Sequence, residues 1–321
     1  LGRKYLVIRF SSIGDIVLTT PVMRCIKKQS PSNEVHFVTK HTFQDLVLNN
    51  PHVDKVYAFK SSLKEIISEL VNEKYDVVID LHHNLRSRLL TFQLRCPVYR
   101  FDKLNFRKWL LVQFKINSLP RVHIVDRYLA TLKKLNIEID KEGLEFYIPS
   151  QINLFHALIE KQYTALVIGG THFTKKLPSS KVIEICNQSV QQFVLIGGKE
   201  EIETAQEILN QTKGNVLDLC GKISLLESAR VIQHASQVVT NDTGMMHIAA
   251  AFQKRIISVW GNTVPELGMY PYLKNVDDNI IVQVKNLGCR PCSKIGFADC
   301  PKKHFNCMNL IDVHQITKQL T

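Results

Sequence analysis

Short, unbroken apolar runs alternate along this chain with stretches whose apolar positions recur every three or four residues. The first run, Lys4–Phe10 (KYLVIRF), is rich in β-formers and predicts a strand. Ser11-Ser12-Ile13-Gly14-Asp15 follows as a tight loop, after which Ile16, Val17, Thr20, Val22, Met23 and Ile26 fall at helical spacing. Strands are predicted again at Glu34–Thr39, Lys55–Phe59 and Asp76–Asp80, with a helix over Leu63–Asn72. At Pro149–Phe155 a Pro and a Ser interrupt the pattern just before an amphipathic stretch at Leu154–Gln162, which marks a connector. The alternation then restarts. Strands are predicted at Ala165–Ile168, Gln192–Ile196, Val216–Asp218, Val238–Thr240 and Arg255–Trp260. Helices are predicted between them at Lys181–Val190, Glu201–Gln211, Leu225–His234 and Gly244–Phe252.

Strands that alternate with helices predict an α/β architecture, a parallel sheet covered on both faces. The length of 321 residues suits two such domains of about 150 residues each, and the connector places them at 1–152 and 153–321. A composition of 45% hydrophobic and 22% charged residues is that of a globular protein. No window holds the roughly 18 unbroken apolar residues of a transmembrane helix, and the first residues lack a signal-peptide pattern. A cytoplasmic, monomeric chain is the expectation.

The net charge of +12 falls mostly in the N-terminal half. Between His82 and Lys134 run twelve Lys and Arg residues against only Asp102 and Asp126. Such a face suits an anionic partner (phosphorylated lipid, a membrane surface or nucleic acid) or is simply solvated.

In open parallel sheets, ligands bind beyond the carboxyl ends of the strands, which singles out four loops. In the first, Gly14 would allow a sharp turn that sets Asp15 at a helix start, either as a cap or as a general base for a hydroxyl nucleophile. The absence of a G-x-G-x-x-G fingerprint there disfavours a nicotinamide or flavin enzyme. The second, Asn241-Asp242-Thr243-Gly244 with His247 a turn later, offers unpaired helix-start amides and a positive dipole to a pyrophosphate, or else is an ordinary capped helix with a surface histidine. In the third, Gly169 to Pro178, the paired Lys175 and Lys176 suit a diphosphate leaving group, although exposed lysines are common without a role. In the fourth, Glu200 and Glu201 follow Gly197-Gly198, placed either for ribose hydroxyls or for a favourable charge at a helix start.

Taken in order, these loops resemble those of the family-9 glycosyltransferases, the ADP-heptose:lipopolysaccharide heptosyltransferases. The likeness rests on IRFSSIGDIVLTTPV (Ile8–Val22), DLHHNLRSRLL (Asp80–Leu90), TKKLP (Thr174–Pro178), LIGGKEE (Leu195–Glu201), VVTNDTGMMHIAAA (Val238–Ala251) and VWGNTVPE (Val259–Glu266). It implies the GT-B fold: two Rossmann-like doubly wound domains facing across a cleft, the N-terminal one binding acceptor and the C-terminal one nucleotide sugar, with a last helix that can cross back. It also implies inversion without a catalytic metal. Asp15 matches the family's general base, Lys175 its phosphate lysine, and Glu201, or Glu200, its ribose ligand. Asp242, Thr243, Gly244 and His247 match its diphosphate loop, with Asn262 and Thr263 beside the nucleotide. Val264-Pro265 stands where the family has Asp-Pro. Ser12, Gly14, Arg86 and Arg88 would face the acceptor, the Kdo-containing phosphorylated inner core of lipopolysaccharide, at the inner face of the inner membrane.

Four of the eight cysteines crowd together as Cys289-x2-Cys292-x7-Cys300-x6-Cys307 with His304 inside. Four soft ligands would suit a closed structural zinc site, yet only one C-x2-C pair is present, so free thiols and disulfides stay open alongside it. No cofactor is expected for catalysis. Two other functions remain: a GT-B enzyme using a different nucleotide sugar, and a basic nucleic-acid-binding protein with a zinc cluster. The second is disfavoured because aromatics do not interleave with the basic residues as a stacking platform requires.

Overall fold

The computed structural model describes residues 2–153 and 162–320, so most of the stretch at Leu154–Gln162 lies outside the described residues. The chain divides into two compact units, one of residues 1–103 and 122–149, the other of residues 104–121 and 150–321.

The first unit carries five parallel strands, β1 (Lys4–Ile8), β2 (Glu34–Lys40), β3 (Lys55–Phe59), β4 (Val77–Asp80) and β5 (Val98–Arg100), in the order β3-β2-β1-β4-β5. Leu6, Ile8, Phe10, Val38, Phe59 and Val78 are fully or almost fully buried and form its core. This is why these strands read as unbroken apolar runs. Strand order reverses between β1 and β4, and Ile8 lies opposite Asp80 in the register. The loops that follow these two strands are therefore neighbours at the switch point.

The helix expected after β1 is two helices, Ile13–Val17 and Thr20–Gln29. Pro21 has no N–H to continue the first helix and sits in the first turn of the second. The Thr19 and Thr20 hydroxyls donate to the carbonyls of Ile16 and Val17, at 2.6 and 2.8 Å. Gly14 is not the turning residue: it lies buried inside the first helix, and Ser12, in extended conformation, makes the entry. Leu63–Asn72 is likewise divided, into a 3-10 turn at Leu63–Glu65 and a helix at Ile67–Asn72.

A buried ion pair closes this unit. Arg24, 1% exposed, donates from Nε and Nη2 to Asp140 at 2.8 and 2.7 Å and to the Gly143 carbonyl at 2.8 Å. Burial pushes the Asp140 carboxyl up, but its hydrogen bonds from Arg24 and Lys28 outweigh this and hold it well below the usual carboxylate range. With its folded pKa depressed, the stability Asp140 contributes is present above the unfolded carboxylate pKa and is lost as pH falls. Arg24→Met takes from Asp140 its buried partner and leaves it Lys28, and is expected to cost about 1.5–3 kcal/mol, read as a lower urea midpoint with unchanged slope.

The second unit holds six parallel strands, β6 (Thr164–Val167), β7 (Phe193–Ile196), β8 (Val216–Asp218), β9 (Gln237–Asn241), β10 (Arg255–Trp260) and β11 (Asn279–Gln283), in the order β11-β10-β9-β6-β7-β8. Its reversal lies between β6 and β9, where Val167 pairs with Thr240. The helices Ser179–Asn187, Ile202–Gln211, Leu225–His234 and Gly244–Ala251 fall within a few residues of their expected positions. The final helix, His314–Thr317, lies in this unit, with Val313 and Ile316 in its core.

Candidate active site

In the first unit the site begins with Asp15. Ser12 caps the short helix and Asp15 is its third residue, so one carboxylate oxygen accepts from the Ser12 hydroxyl at 2.9 Å and its amide at 3.3 Å. The other oxygen lies 2.7 Å from Nη2 of Arg9. Arg9 is held from three further directions, by the Ser11 carbonyl at 2.7 Å, the Leu81 carbonyl at 2.7 Å and the Tyr128 hydroxyl at 3.2 Å. Burial pushes the Asp15 carboxyl up, and Arg9 with the two Ser12 donors more than offsets this, leaving it below its ordinary range. Asp15 is thus an ionised carboxylate at neutral pH, aimed by a fixed guanidinium.

Arg9 is the residue that sequence reasoning missed. A charged residue ending the apolar run KYLVIRF was the available signal, but its contacts with Leu81 and Tyr128 are long-range and no local pattern encodes them.

Beside it, the loop after β4 is organised by Asp80. This buried carboxylate accepts from the amides of His82 and His83 at 3.1 and 2.7 Å and from the Ser87 hydroxyl at 2.9 Å. His82 stays neutral: burial, together with Arg9 and Lys103, pulls its pKa down to about 3. Arg86 and Arg88 both stand exposed on the first turns of the Leu85–Leu94 helix. Arg88 donates to His83 at 2.9 Å, whereas Arg86 borders a surface cavity of about 220 Å³ with Ser61, Lys64 and Leu89.

In the second unit, register brings four loops to one edge, since Val167 pairs with both Ile196 and Thr240, and Val259 with Asn241. Lys175 lies 2.7 Å from Asp242, whose same oxygen accepts from the Thr263 hydroxyl at 2.8 Å. Lys176 lies 2.5 Å from Glu201, whose other oxygen accepts from the Gly198 amide at 2.8 Å. Glu201 is buried and Glu200 exposed, so only Glu201 reaches the site. A side chain at Gly197 would come within 2.8 Å of Glu201 Cβ, so glycine lets the carboxylate fold back across that loop.

Thr243 occupies the N-cap position of the Gly244–Ala251 helix, but its hydroxyl makes no capping bond. His247 is buried rather than on the surface. Asn262 is fully buried, and neither its amide nitrogen nor its oxygen has a hydrogen-bond partner; the Thr243 hydroxyl is buried and unpartnered too. Leaving buried polar groups unpaired costs roughly 1–3 kcal/mol each, so these atoms are free to bond a polar ligand brought to this edge.

The cysteine segment braces this edge. Thr174 and Phe297 exchange hydrogen bonds, the Cys292 amide donates to the Asn262 carbonyl at 3.3 Å, and Phe173 stacks on Phe305 at 4.9 Å. No disulfide joins any of the eight cysteines. Burial and the neighbouring thiols push Cys307 up to about 11 despite Arg290. Cys289 Sγ lies 3.9 Å from His304 Nε2. Among the described residues, only Glu34, His36 and Glu73 bring three metal-type ligand atoms within 4.8 Å of one another. At Glu73 two ammonium groups, Lys4 and Lys55, already occupy the carboxylate at 2.7 and 2.8 Å, which makes that group an ion-pair network rather than a cation site.

The sequence model of glycosyltransferase family 9 (heptosyltransferase) matches residues 63–299, well over half of the chain. The chain belongs to glycosyltransferase family 9. Similar proteins include a lipopolysaccharide heptosyltransferase 1 from Campylobacter coli, 26% identical over 81% of this chain and 84% of that one. A lipopolysaccharide heptosyltransferase 3 from Escherichia coli is 24% identical over 78% and 81%. Among solved structures, the E. coli ADP-heptose lipopolysaccharide heptosyltransferase II superposes with a TM-score of 0.70 over 99% of this chain and 100% of that one, at 18% identity. An E. coli heptosyltransferase solved with ADP gives 0.67 over 87% and 92%, at 22% identity. The two parallel sheets are those of the GT-B fold, and the chain is an enzyme of the heptosyltransferase family. Among the described residues, no helix is long and apolar enough to cross a membrane.

Proposed function

We propose that this family-9 enzyme transfers heptose from ADP-heptose, with inversion, to a sugar hydroxyl of the Kdo/heptose inner core of lipopolysaccharide at the cytoplasmic face of the inner membrane. The observation that carries the reading is the double ion pair Lys175–Asp242 and Lys176–Glu201 at the strand ends of the second unit, beside the start of the Gly244–Ala251 helix. Two ammonium groups and unpaired helix amides are what a leaving diphosphate requires. Asn262, Thr243 and Thr263 supply the polar groups around it, and Glu201 the acceptor for ribose hydroxyls.

The chemistry divides between the units. In the first, Asp15 takes the proton from the acceptor hydroxyl as its oxygen bonds to the anomeric carbon. The bond from that carbon to the β-phosphate oxygen breaks, and ADP departs with the electron pair. Lys175, Lys176 and the helix start neutralise the charge that a divalent ion would otherwise meet, so turnover is expected to survive EDTA. Arg86 and Arg88 offer their exposed guanidiniums to acidic groups of the acceptor.

The donor is tested by thermal shift. ADP at a hundred times its dissociation constant is expected to stabilise the protein by about 2.7 kcal/mol, whereas UDP and GDP at equal concentration give much less. A larger shift with UDP would instead favour a transferase of another sugar.

A further inference from the structure

The helix Asn105–Phe114 belongs to the second unit and has two unlike faces. Leu111 packs against Val264 and Leu267, with Leu119 alongside. This contact fixes the helix's rotation, since Trp109, two residues earlier, points about 160° away at roughly 100° per residue. On the outward side Phe106 is 69% exposed, Trp109 48%, Phe114 59% and Ile116 56%. Phe106 stacks on Trp109 with ring centroids 6.0 Å apart, and Phe114 meets Trp109 edge-on at 5.3 Å, so the rings form one continuous patch.

Along the chain the patch is flanked by Lys103, Arg107, Lys108, Lys115 and Arg121, and no Asp or Glu occurs from Lys103 to Val125. Arg107 donates to the Ser118 carbonyl at 3.0 Å, and Lys115 to the carbonyls of Val112 and Pro291, both at 2.7 Å. These bonds tie the charged ends of Arg107 and Lys115 to backbone carbonyls. An exposed aromatic face flanked along the chain by cations alone complements a surface that is apolar just below an anionic layer. We propose that this helix is a membrane-docking element, seating Phe106, Trp109 and Phe114 among the acyl-chain ends of an anionic lipid surface while its Lys and Arg residues meet the headgroups. Through Leu111 the element is joined to the loop carrying Asn262 and Thr263, so docking would hold the nucleotide loop at the lipid surface.

The protein's own fluorescence reports the event, because of its two tryptophans Trp260 is buried and Trp109 is exposed. Full-length protein is mixed with vesicles of phosphatidylcholine, alone or with about 30 mol% phosphatidylglycerol. The expected result is a blue-shifted emission and co-sedimentation with the anionic vesicles only, weakened by salt. The triple variant Phe106→Ser/Trp109→Ser/Phe114→Ser is expected to bind at least about tenfold more weakly, with its melting temperature and its shift with ADP unchanged. Unaltered vesicle binding by that variant, or no blue shift in wild type, overturns the proposal. So does concentration-dependent dimerisation that Trp109→Ser abolishes, which would make a second copy the occupant. None of these readouts involves sugar transfer, so the transferase reading stands or falls separately.

Discussion

Asp15→Asn is expected to lower turnover about a hundredfold or more while leaving the shift with ADP intact. Asparagine keeps the shape and still accepts from Ser12, but it has no charge with which to take the acceptor proton. The fold should survive, because Arg9 keeps the Ser11 and Leu81 carbonyls and the Tyr128 hydroxyl after losing the carboxylate. The companion variant Arg9→Met separates base from scaffold. With Arg9 present, Asp15 titrates below the usual carboxylate range, so the acid limb of the turnover profile also lies below it. Without Arg9 only the Ser12 donors oppose the burial that pushes Asp15 up, and the limb moves to higher pH. A limb that stays in place in Arg9→Met, or full turnover in Asp15→Asn, would remove Asp15 from the role of base.

Lys175→Ala is expected to cost about a hundred- to a thousandfold in kcat/KM and to weaken ADP binding. Beyond the lost ammonium, the variant leaves the Asp242 carboxylate, still bonded by the Thr263 hydroxyl, facing an anionic ligand. Adding Asp242→Asn to Lys175→Ala should therefore restore part of the ADP affinity, a strongly non-additive cycle. If Lys175 were merely the structural partner of Asp242, calorimetry would find ADP affinity unchanged in Lys175→Ala and the melting temperature lowered instead.

Much of the fold was legible because parallel strands, buried on both faces, are written as unbroken apolar runs. The strands missed are the edge strands Val98–Arg100 and Asn279–Gln283, which are largely half-buried and whose apolar signal is correspondingly weak. The helix Asn105–Phe114 was missed for another reason. Its aromatic residues face outward, so its pattern does not mark a core face, and nothing local announces that 104–121 groups with the second unit.

At the candidate site, position in the chain was legible and pairing was not. Asp15, Lys175, Glu201 and Asp242 follow strands whose carboxyl ends are readable from the alternation. The pairing of Lys176 with Glu201, the hold on Arg9 by Leu81 and Tyr128 and the bracing of Thr174 by Phe297 depend on loops distant in sequence. The choice between Glu200 and Glu201 likewise needed the fold, because only the residue closing the 3-10 turn points back to Gly198.

The most direct test of the central claim incubates purified protein with ADP-heptose and a defined Kdo-lipid acceptor, following ADP release and the mass of the acceptor together. The account predicts one ADP released per acceptor that gains a single heptose, with Asp15→Asn slowed about a hundredfold or more. An acceptor whose mass is unchanged by ADP-heptose but increased by a UDP- or GDP-sugar would contradict it.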